Sequence, residues 1–288
     1  MRLPLRLLLA IAAVALSLSS VRLGAAQPPT VPALLGAAAA YVAMYEERAS
    51  GIVFEEEYVQ QLRRLNDPKL PLARRMRSEV VVLSTGDFGW IGFRNVVQVD
   101  SQPVRDRADR LEKLFATPVT HAVIERARVV ADESARYNLG GVHRNWNYPT
   151  MPLMFLRQAH QRRSTFTREG SERMDGVVTW RLRFQEVERP TLIESGRNDV
   201  VASGRFWIEP DTGRVRRGQL AVREARAAGT IDVTYRASPG LAVLVPVSMQ
   251  ERIEARPLLE EIRGDARYSN FKQFTVEVES TVRVGATK

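Results

Sequence analysis

The stretch Gly204-Arg205-Phe206-Trp207-Ile208-Glu209-Pro210-Asp211-Thr212-Gly213 decides the fold of this chain. Phe206 and Ile208 stand at alternate positions, which is the period of a strand with one apolar face. A proline, an aspartate and a glycine then follow in the order that a tight hairpin requires. The stretch therefore predicts a strand that runs directly into a hairpin between paired strands.

The same alternation continues beyond this hairpin as far as Phe274. Leu220 and Val222 share one face of the next segment, and a turn signal separates each segment from the one that follows. Consecutive segments of this kind predict an antiparallel sheet with one apolar side. The later apolar positions at period two are Ile231, Val233, Tyr235, Val243, Val245, Val247, Met249 and Ile253.

Alternating segments also lie upstream of the hairpin. The predicted strands there are Ile52 to Leu62, Arg77 to Ser84 and Trp90 to Asp100, separated by turn signals. Alternation resumes at Arg163, and the last predicted strand runs from Val276 to Val284. The whole chain is predicted to contain about ten strands.

Two longer segments have helical spacing instead. Ala33 to Arg48 is rich in alanine, follows Pro32 and repeats apolar residues every three or four positions. Pro118 to Tyr137 carries valine and alanine on one side, and Tyr148 to Gln158 is interpreted as a short helix between prolines. The predicted fold class is therefore α+β: a large curved antiparallel sheet, an incomplete β-barrel, whose concave face the helices cover.

Residues 1–26 are predicted to be an export signal and not part of the fold. Arg2 and Arg6 provide a positive start, and Leu7 to Leu18 is an apolar run of the length of a signal core. Small residues before Gln27 then offer a cleavage site. Cleavage there leaves residues 27–288 as a single predicted domain, which we expect to be soluble and periplasmic.

The composition excludes several classes of site. The chain has no cysteine, so it holds no disulfide and no thiolate metal site, which fits a periplasmic protein whose size supplies its stability. The formal charge is +9, and removal of the three arginines of residues 1–26 lowers it to +6. Because the arginines are spread along the chain and form no block, nucleic acid is not an expected partner.

No motif in the sequence predicts catalysis. His121, His143 and His160 lack the four-residue pairing of a helical zinc site and are interpreted as unrelated histidines. Glu55 and Glu57 share a strand face that we expect to be solvated, because like charges at that spacing repel each other. No nucleophile elbow and no phosphate-binding glycine loop is present. The chain is therefore predicted not to be an enzyme and to need neither a metal nor a cofactor, and a hydrolase with a concealed site is the least favoured alternative.

Two motifs resemble the LolA-like and LolB-like periplasmic lipoprotein carriers of bacteria. One is the hairpin Phe206-Trp207-Ile208-Glu209-Pro210-Asp211-Thr212-Gly213, and the other is Ala266-Arg267-Tyr268-Ser269-Asn270-Phe271, which is interpreted as a late strand. The resemblance implies an incompletely closed antiparallel barrel with helices as a lid, which holds acyl chains in the apolar concavity between them. This chain is longer than a typical carrier.

The apolar sheet face is the predicted ligand-binding site. A lipid or another apolar small molecule is expected beneath the helices, and arginines at the mouth, Arg205, Arg216 or Arg236, are candidates to pair with an anionic headgroup. The alternative is an envelope scaffold with a filled core, whose partner is a membrane surface or an envelope protein. The predicted lining residues are Trp180, Leu182, Phe184, Phe206, Ile208, Ile231, Val233, Tyr235, Val245, Val247 and Met249.

Overall fold

The structure is a computed structural model that describes residues 27–67, 72–84, 90–105, 121–142, 144, 146–195 and 198–273. The predicted export signal, residues 1–26, and the predicted strand Val276–Val284 lie outside the described residues. The described chain is α+β, with one large open antiparallel sheet and few helices, which confirms the predicted fold class.

Twelve strands occur in the described part of the chain. The first two are longer than predicted, because their pairing continues past the apolar positions that reveal a strand in the sequence. The strands are β1 (Ile52–Arg64), β2 (Leu72–Ser84), β3 (Trp90–Val99), β4 (Gln102–Pro103), β5 (Ser164–Met174), β6 (Val177–Glu186), β7 (Ile193–Ser195), β8 (Asn198–Ile208), β9 (Val215–Arg223), β10 (Ala227–Ala237), β11 (Leu244–Ala255) and β12 (Glu260–Gln273).

The described helices agree with the segments that have helical spacing. The predicted helix Ala33–Arg48 forms and begins after Thr30, whose Oγ1 accepts a hydrogen bond from the Ala33 N–H at 3.3 Å. The interpreted helix Tyr148–Gln158 contains a short 3-10 helix. The helices are α1 (Val31–Ala49), α2 (His121–Ala135), the 3-10 helix Met151–Leu156 and α3 (Gln158–Gln161).

The sheet curves around α1. Its order is β4-β3-β2-β1-β12-β11-β10-β9-β8-β6-β5, with β7 paired to β8, so the first strand lies beside the last described one. Eight strand spacings separate β2 from β5, which is about 38 Å in a flat sheet. The 19 residues of α1 span only about 28 Å, yet α1 contacts both strands. The two ends of the sheet therefore approach the same helix.

The main core lies between α1 and one face of the sheet, which we call the inner face. This face carries Phe54 and Tyr58 of β1 and Phe206 of β8, all at most 1% exposed. From α1, Tyr41 and Tyr45 pack against it, together with smaller alanine and valine side chains. Because successive side chains of a strand point to opposite sides of the sheet, the residues between these inner-face positions lie on the opposite face, which we call the outer face.

α2 differs from the expected arrangement, because it does not cover the inner face. Val123, Ala127 and Val130 of this helix form a second, smaller apolar cluster with strand side chains of the outer face. Those strand residues alternate with inner-face residues such as Phe54 and Val80, so they point the other way. The strand members of this cluster are Val53, Val81, Leu83 and Phe93.

The hairpin that decides the fold also positions α1. Its turn is closed by a hydrogen bond from the Gly213 N–H to the Glu209 carbonyl at 2.9 Å. Gly213 has a φ of +69°, and a Cβ added to it would lie 2.0 Å from the backbone oxygen of Ala37 in α1. Only a glycine therefore lets the hairpin approach the helix backbone so closely.

We predict that Gly213→Ala lowers the free energy of unfolding by about 3 kcal/mol, because the added carbon strains the backbone and pushes the hairpin away from α1. Chemical denaturation measures this change. Gly240→Ala is the matched control, since Gly240 has a similar φ of +78° but no atom within 4 Å of an added Cβ. The free energy of unfolding of the control is expected to fall by only about 1 kcal/mol. An equal fall for the two variants would contradict the close approach of the hairpin to α1.

Candidate functional site

The structure brings most of the predicted lining residues together on the inner face. Eight of the eleven belong to the main core cluster and are at most 1% exposed, and Trp180 packs against its edge. Their binding of a ligand stays a prediction. The eight are Leu182, Phe184, Phe206, Ile208, Ile231, Val233, Tyr235 and Met249.

Val245 and Val247 differ from the other predicted lining residues. Val245 is buried outside the main cluster, and Val247 is half-buried. The cause is an irregularity in the pairing of β10 with β11, which falls between Thr234 and Tyr235. Such a bulge adds a residue to one strand, so strict alternation does not continue through it.

Residues 146–157, which we call the strap, cover the inner face beside α1. Phe155 of the strap lies 4.8 Å from Phe184, measured between ring centroids, and Phe184 stacks on Phe206 at 5.1 Å. The Tyr235 hydroxyl donates a hydrogen bond to the Pro149 carbonyl at 2.5 Å. The strap and α1 thus close the inner face together.

α1 is held to its surroundings by side chains and forms no part of the strand ladder. Arg157 of the strap donates two hydrogen bonds to the Glu46 carboxylate, at 3.2 and 3.3 Å. The Tyr41 hydroxyl accepts one from the Leu244 N–H at 3.1 Å. Separation of α1 from the sheet would therefore leave every strand pair intact.

A buried ionic pair lies on the inner face beside this apolar region. Arg94 of β3 contacts the Glu56 carboxylate with two nitrogens, at 2.6 and 3.0 Å, and donates to the Asn147 carbonyl of the strap at 2.7 Å. Its guanidinium lies 5.2 Å from the centroid of the Tyr58 ring and 5.6 Å from that of Tyr148. Burial lowers the pKa of Arg94, but the charge and hydrogen bond of Glu56, together with Tyr268 and Tyr58, raise it above its usual value, so Arg94 stays charged.

A second ionic pair lies next to the first. Arg144 and Glu251 approach to 3.4 Å, and both side chains are fully buried. Tyr58 donates a hydrogen bond to Glu251, and Arg144 also donates to the Leu139 carbonyl at 2.9 Å. Burial raises the pKa of Tyr58 well above its usual range and the Glu251 carboxylate raises it further, so Tyr58 remains a neutral donor. The two pairs attach the segment around the strap to the sheet.

The sequence analysis missed this cluster, although Glu56 carried a signal for it. Glu55 and Glu57 point outward as expected, and Glu55 lies 3.7 Å from Arg77. Glu56 therefore faces inward with Phe54 and Tyr58, at a position where alternation predicts an apolar residue. An inward charge in a strand needs a buried partner, and that requirement was the available signal.

The three arginines proposed for a cavity mouth lie at three separate places. Arg205 is on the outer face, 3.0 Å from Glu169. Arg216 pairs with Glu209 of the hairpin at 2.5 Å, and Arg236 pairs with Asp175 at 3.1 Å. They therefore form no common headgroup site.

Of the three histidines, only His160 has a side chain that the structure describes. His160 is half-buried, its Nδ1 lies 2.9 Å from the Met154 carbonyl oxygen, and burial lowers its pKa. The side chain of His121 and the whole of His143 lie outside the described residues. Across the described ranges, no group of three or more histidine, cysteine, aspartate or glutamate side chains is arranged to hold a metal. No described helix has the length and apolar character needed to span a membrane.

No family model matches the chain, and neither does any curated protein. A domain described as an outer membrane lipoprotein-sorting protein from Vibrio parahaemolyticus is similar at a TM-score of 0.39 and 13% identity, over 83% of this chain and 93% of that chain. A DUF1329 family protein from Desulfovibrio piger is similar at a TM-score of 0.38 and 11% identity, over 90% of this chain and 96% of that chain. A LolA superfamily protein from Nitrosomonas europaea is similar at a TM-score of 0.33 and 10% identity, over 87% of this chain and 96% of that chain. These likenesses concern the fold alone.

We predict that Arg94→Met lowers the free energy of unfolding by about 3–5 kcal/mol, because it leaves the Glu56 carboxylate buried without its cation. The double variant Glu56→Leu/Arg94→Met is expected to lose less than Arg94→Met alone, since it removes both charges. Urea denaturation compares the two variants. Glu125→Gln is the control, because Glu125 and its partner Arg128 are both about half exposed, and a loss within about 0.5 kcal/mol is expected. A double variant less stable than the single one would contradict the role of the pair.

Proposed function

We propose that the protein is an exported, non-catalytic binding protein that holds a lipid or another apolar ligand between the inner face and α1. In this proposal residues 1–26 are removed on export, and residues 27–288 act as one domain in the periplasm. The described conformation is then the closed form, in which the tyrosines of α1 and the strap occupy the space that a ligand would enter.

The observation that carries the proposal is the way in which the inner face is covered. Its apolar surface is continuous across strands β6 to β11, and it is closed by a helix and a strap that take no part in the strand ladder. Because the cover is not part of the ladder, a ligand that took its place on the inner face would break no strand pair.

The energetics of a lipid tail fit this arrangement. Burial of a chain of about 16 methylenes contributes on the order of 13 kcal/mol before ordering costs. That gain is offset by displacement of Tyr41 and Tyr45, which are 3% and 2% exposed in the closed form. The net affinity depends on how much of their burial the ligand replaces.

A second candidate is an envelope scaffold with a permanently filled core. The observation that favours it is the burial of the eight clustered lining residues, each at most 1% exposed. In that case a partner protein or a membrane meets the surface of the molecule, and the interior takes no ligand.

We predict that lipid-stripped protein gains thermal stability when palmitate or phosphatidylglycerol is added. A ligand at 100 times its dissociation constant contributes about 2.7 kcal/mol to the folded state, and differential scanning calorimetry detects the rise in Tm. Native mass spectrometry of protein purified without detergent is expected to show the bound lipid. An unchanged Tm together with a lipid-free mass would favour the scaffold.

A cross-link tests the position of the ligand. Because the chain has no cysteine, Glu46→Cys/Arg157→Cys is open to selective cross-linking of α1 to the strap by a short bismaleimide. The cross-linked protein is expected to lose the lipid-induced rise in Tm, whereas the two single-cysteine variants, treated identically, keep it. Undiminished binding by the cross-linked form would rule out entry between α1 and the strap.

A further inference from the structure

The outer face holds a polar trough that the proposed lipid site does not use. Its volume is about 640 Å³, and side chains of β5, β6, β8, β9 and β10 line it. Ser203, Ala221 and Thr230 lie side by side on three adjacent strands and form its shallow floor. Small side chains on neighbouring strands thus leave a depression between longer ones.

The trough continues across the sheet toward β11. A second depression of about 450 Å³ shares Gln185, Ser203, Ala221 and Thr230 with the first, and it reaches Arg252 and Glu254. Together the two depressions form one continuous trough across the outer face from β6 to β11. A depression of this length fits an extended chain better than a compact molecule.

One end of the trough carries three arginines around a single carboxylate. Arg181 and Arg205 both lie 3.0 Å from Glu169, and Arg183 lies 3.6 Å from it. Arg183 and Arg205 stand directly opposite each other on β6 and β8. Like charges in directly opposed positions are unfavourable, and one glutamate leaves this group with a net charge of +2.

The other end has the same construction. Arg252 and Arg263 stand directly opposite each other on β11 and β12, and both contact Glu261, at 3.4 and 2.9 Å. Arg63 contacts the same carboxylate, and Arg252 also lies 3.3 Å from Glu254. Three arginines therefore face two carboxylates, and a net charge of +1 remains.

The floor between the two groups is mainly neutral and hydrogen-bonding. Gln185, Ser203 and Thr230 offer donors and acceptors there. Asp232 is paired, because Arg217 donates to it at 2.7 and 2.5 Å and Gln219 donates at 2.6 Å. Arg252 is three strands away from Arg205 and two residues further along, a distance of about 16 Å.

We propose that this trough binds a linear acidic polysaccharide. Acidic groups about 16 Å apart along the chain pair with the two arginine groups, and sugar hydroxyls between them bond to the neutral floor. A polyphosphate fits less well, because it has no hydroxyl groups to donate hydrogen bonds to the acceptors of the neutral floor. The outer face would then bind a polysaccharide, whereas the inner face is the proposed site for a lipid.

Calorimetric titration of the protein with short alginate oligosaccharides tests the proposal. Binding is expected at low salt and should weaken as salt rises, because the screening length falls from about 10 Å at 0.1 M to about 3 Å at 1 M. Arg183→Gln and Arg252→Gln should each weaken binding about tenfold. Ala221→Trp fills the floor without a change of charge and should abolish binding. The control Arg173→Gln removes an exposed arginine at the far end of β5 and should leave affinity unchanged.

Several results would overturn the proposal. They are no binding at low salt, an equal loss with Arg173→Gln, full binding by Ala221→Trp, and equal or tighter binding of polyphosphate. Binding to anionic phosphatidylglycerol vesicles without binding to the oligosaccharide would assign the arginines to a membrane surface instead. Thermal unfolding of each variant confirms that it is folded, and all four changed side chains lie on the outer face or at an exposed strand end.

Discussion

Burial of the inner face beneath α1 and the strap is the interaction on which the rest of the structure depends. A sheet with one apolar side is stable only when another layer covers that side. Because one helix contacts strands eight spacings apart, the sheet has to curve. The curvature and the strap together shield Glu56 and Glu251 from water. Those carboxylates must then pair with Arg94 and Arg144, so the polar cluster is a consequence of the apolar packing.

Local patterns predicted the sheet and α1, because a period of two or of three to four is visible within a few residues. The buried cluster was not predictable in the same way. Arg94 follows Glu56 by 38 positions, and Tyr58 is 193 positions from Glu251, so no spacing rule connects them. The irregularity beside Tyr235 also defeats strict alternation and moves Val245 out of the main cluster. The apolar spacing of α2 shows that one side of the helix is buried, but the face of the sheet on which it packs depends on tertiary contacts that this spacing does not specify.

The two faces of the sheet carry different chemistry because alternation separates them residue by residue. Phe184 and Phe206 stack inside, while their neighbours Arg183 and Arg205 lie outside and share Glu169. The outer arginines stand in opposed pairs that repel each other, and the carboxylates they share neutralise them only in part. Their arrangement at both ends of a polar trough is therefore better explained by a ligand than by stability.

The position of β1 in the middle of the sheet has a consequence for how the molecule is assembled. β1 pairs with β12, so Ile52 lies opposite Gln273, and this seam joins the first described strand to the last. During folding, one edge of the β1–β2–β3 meander stays unpaired until β12 is in place. Such distant pairing makes folding slow and leaves an edge open to wrong association. That edge is therefore exposed in every folding intermediate in which β12 has not yet paired with β1.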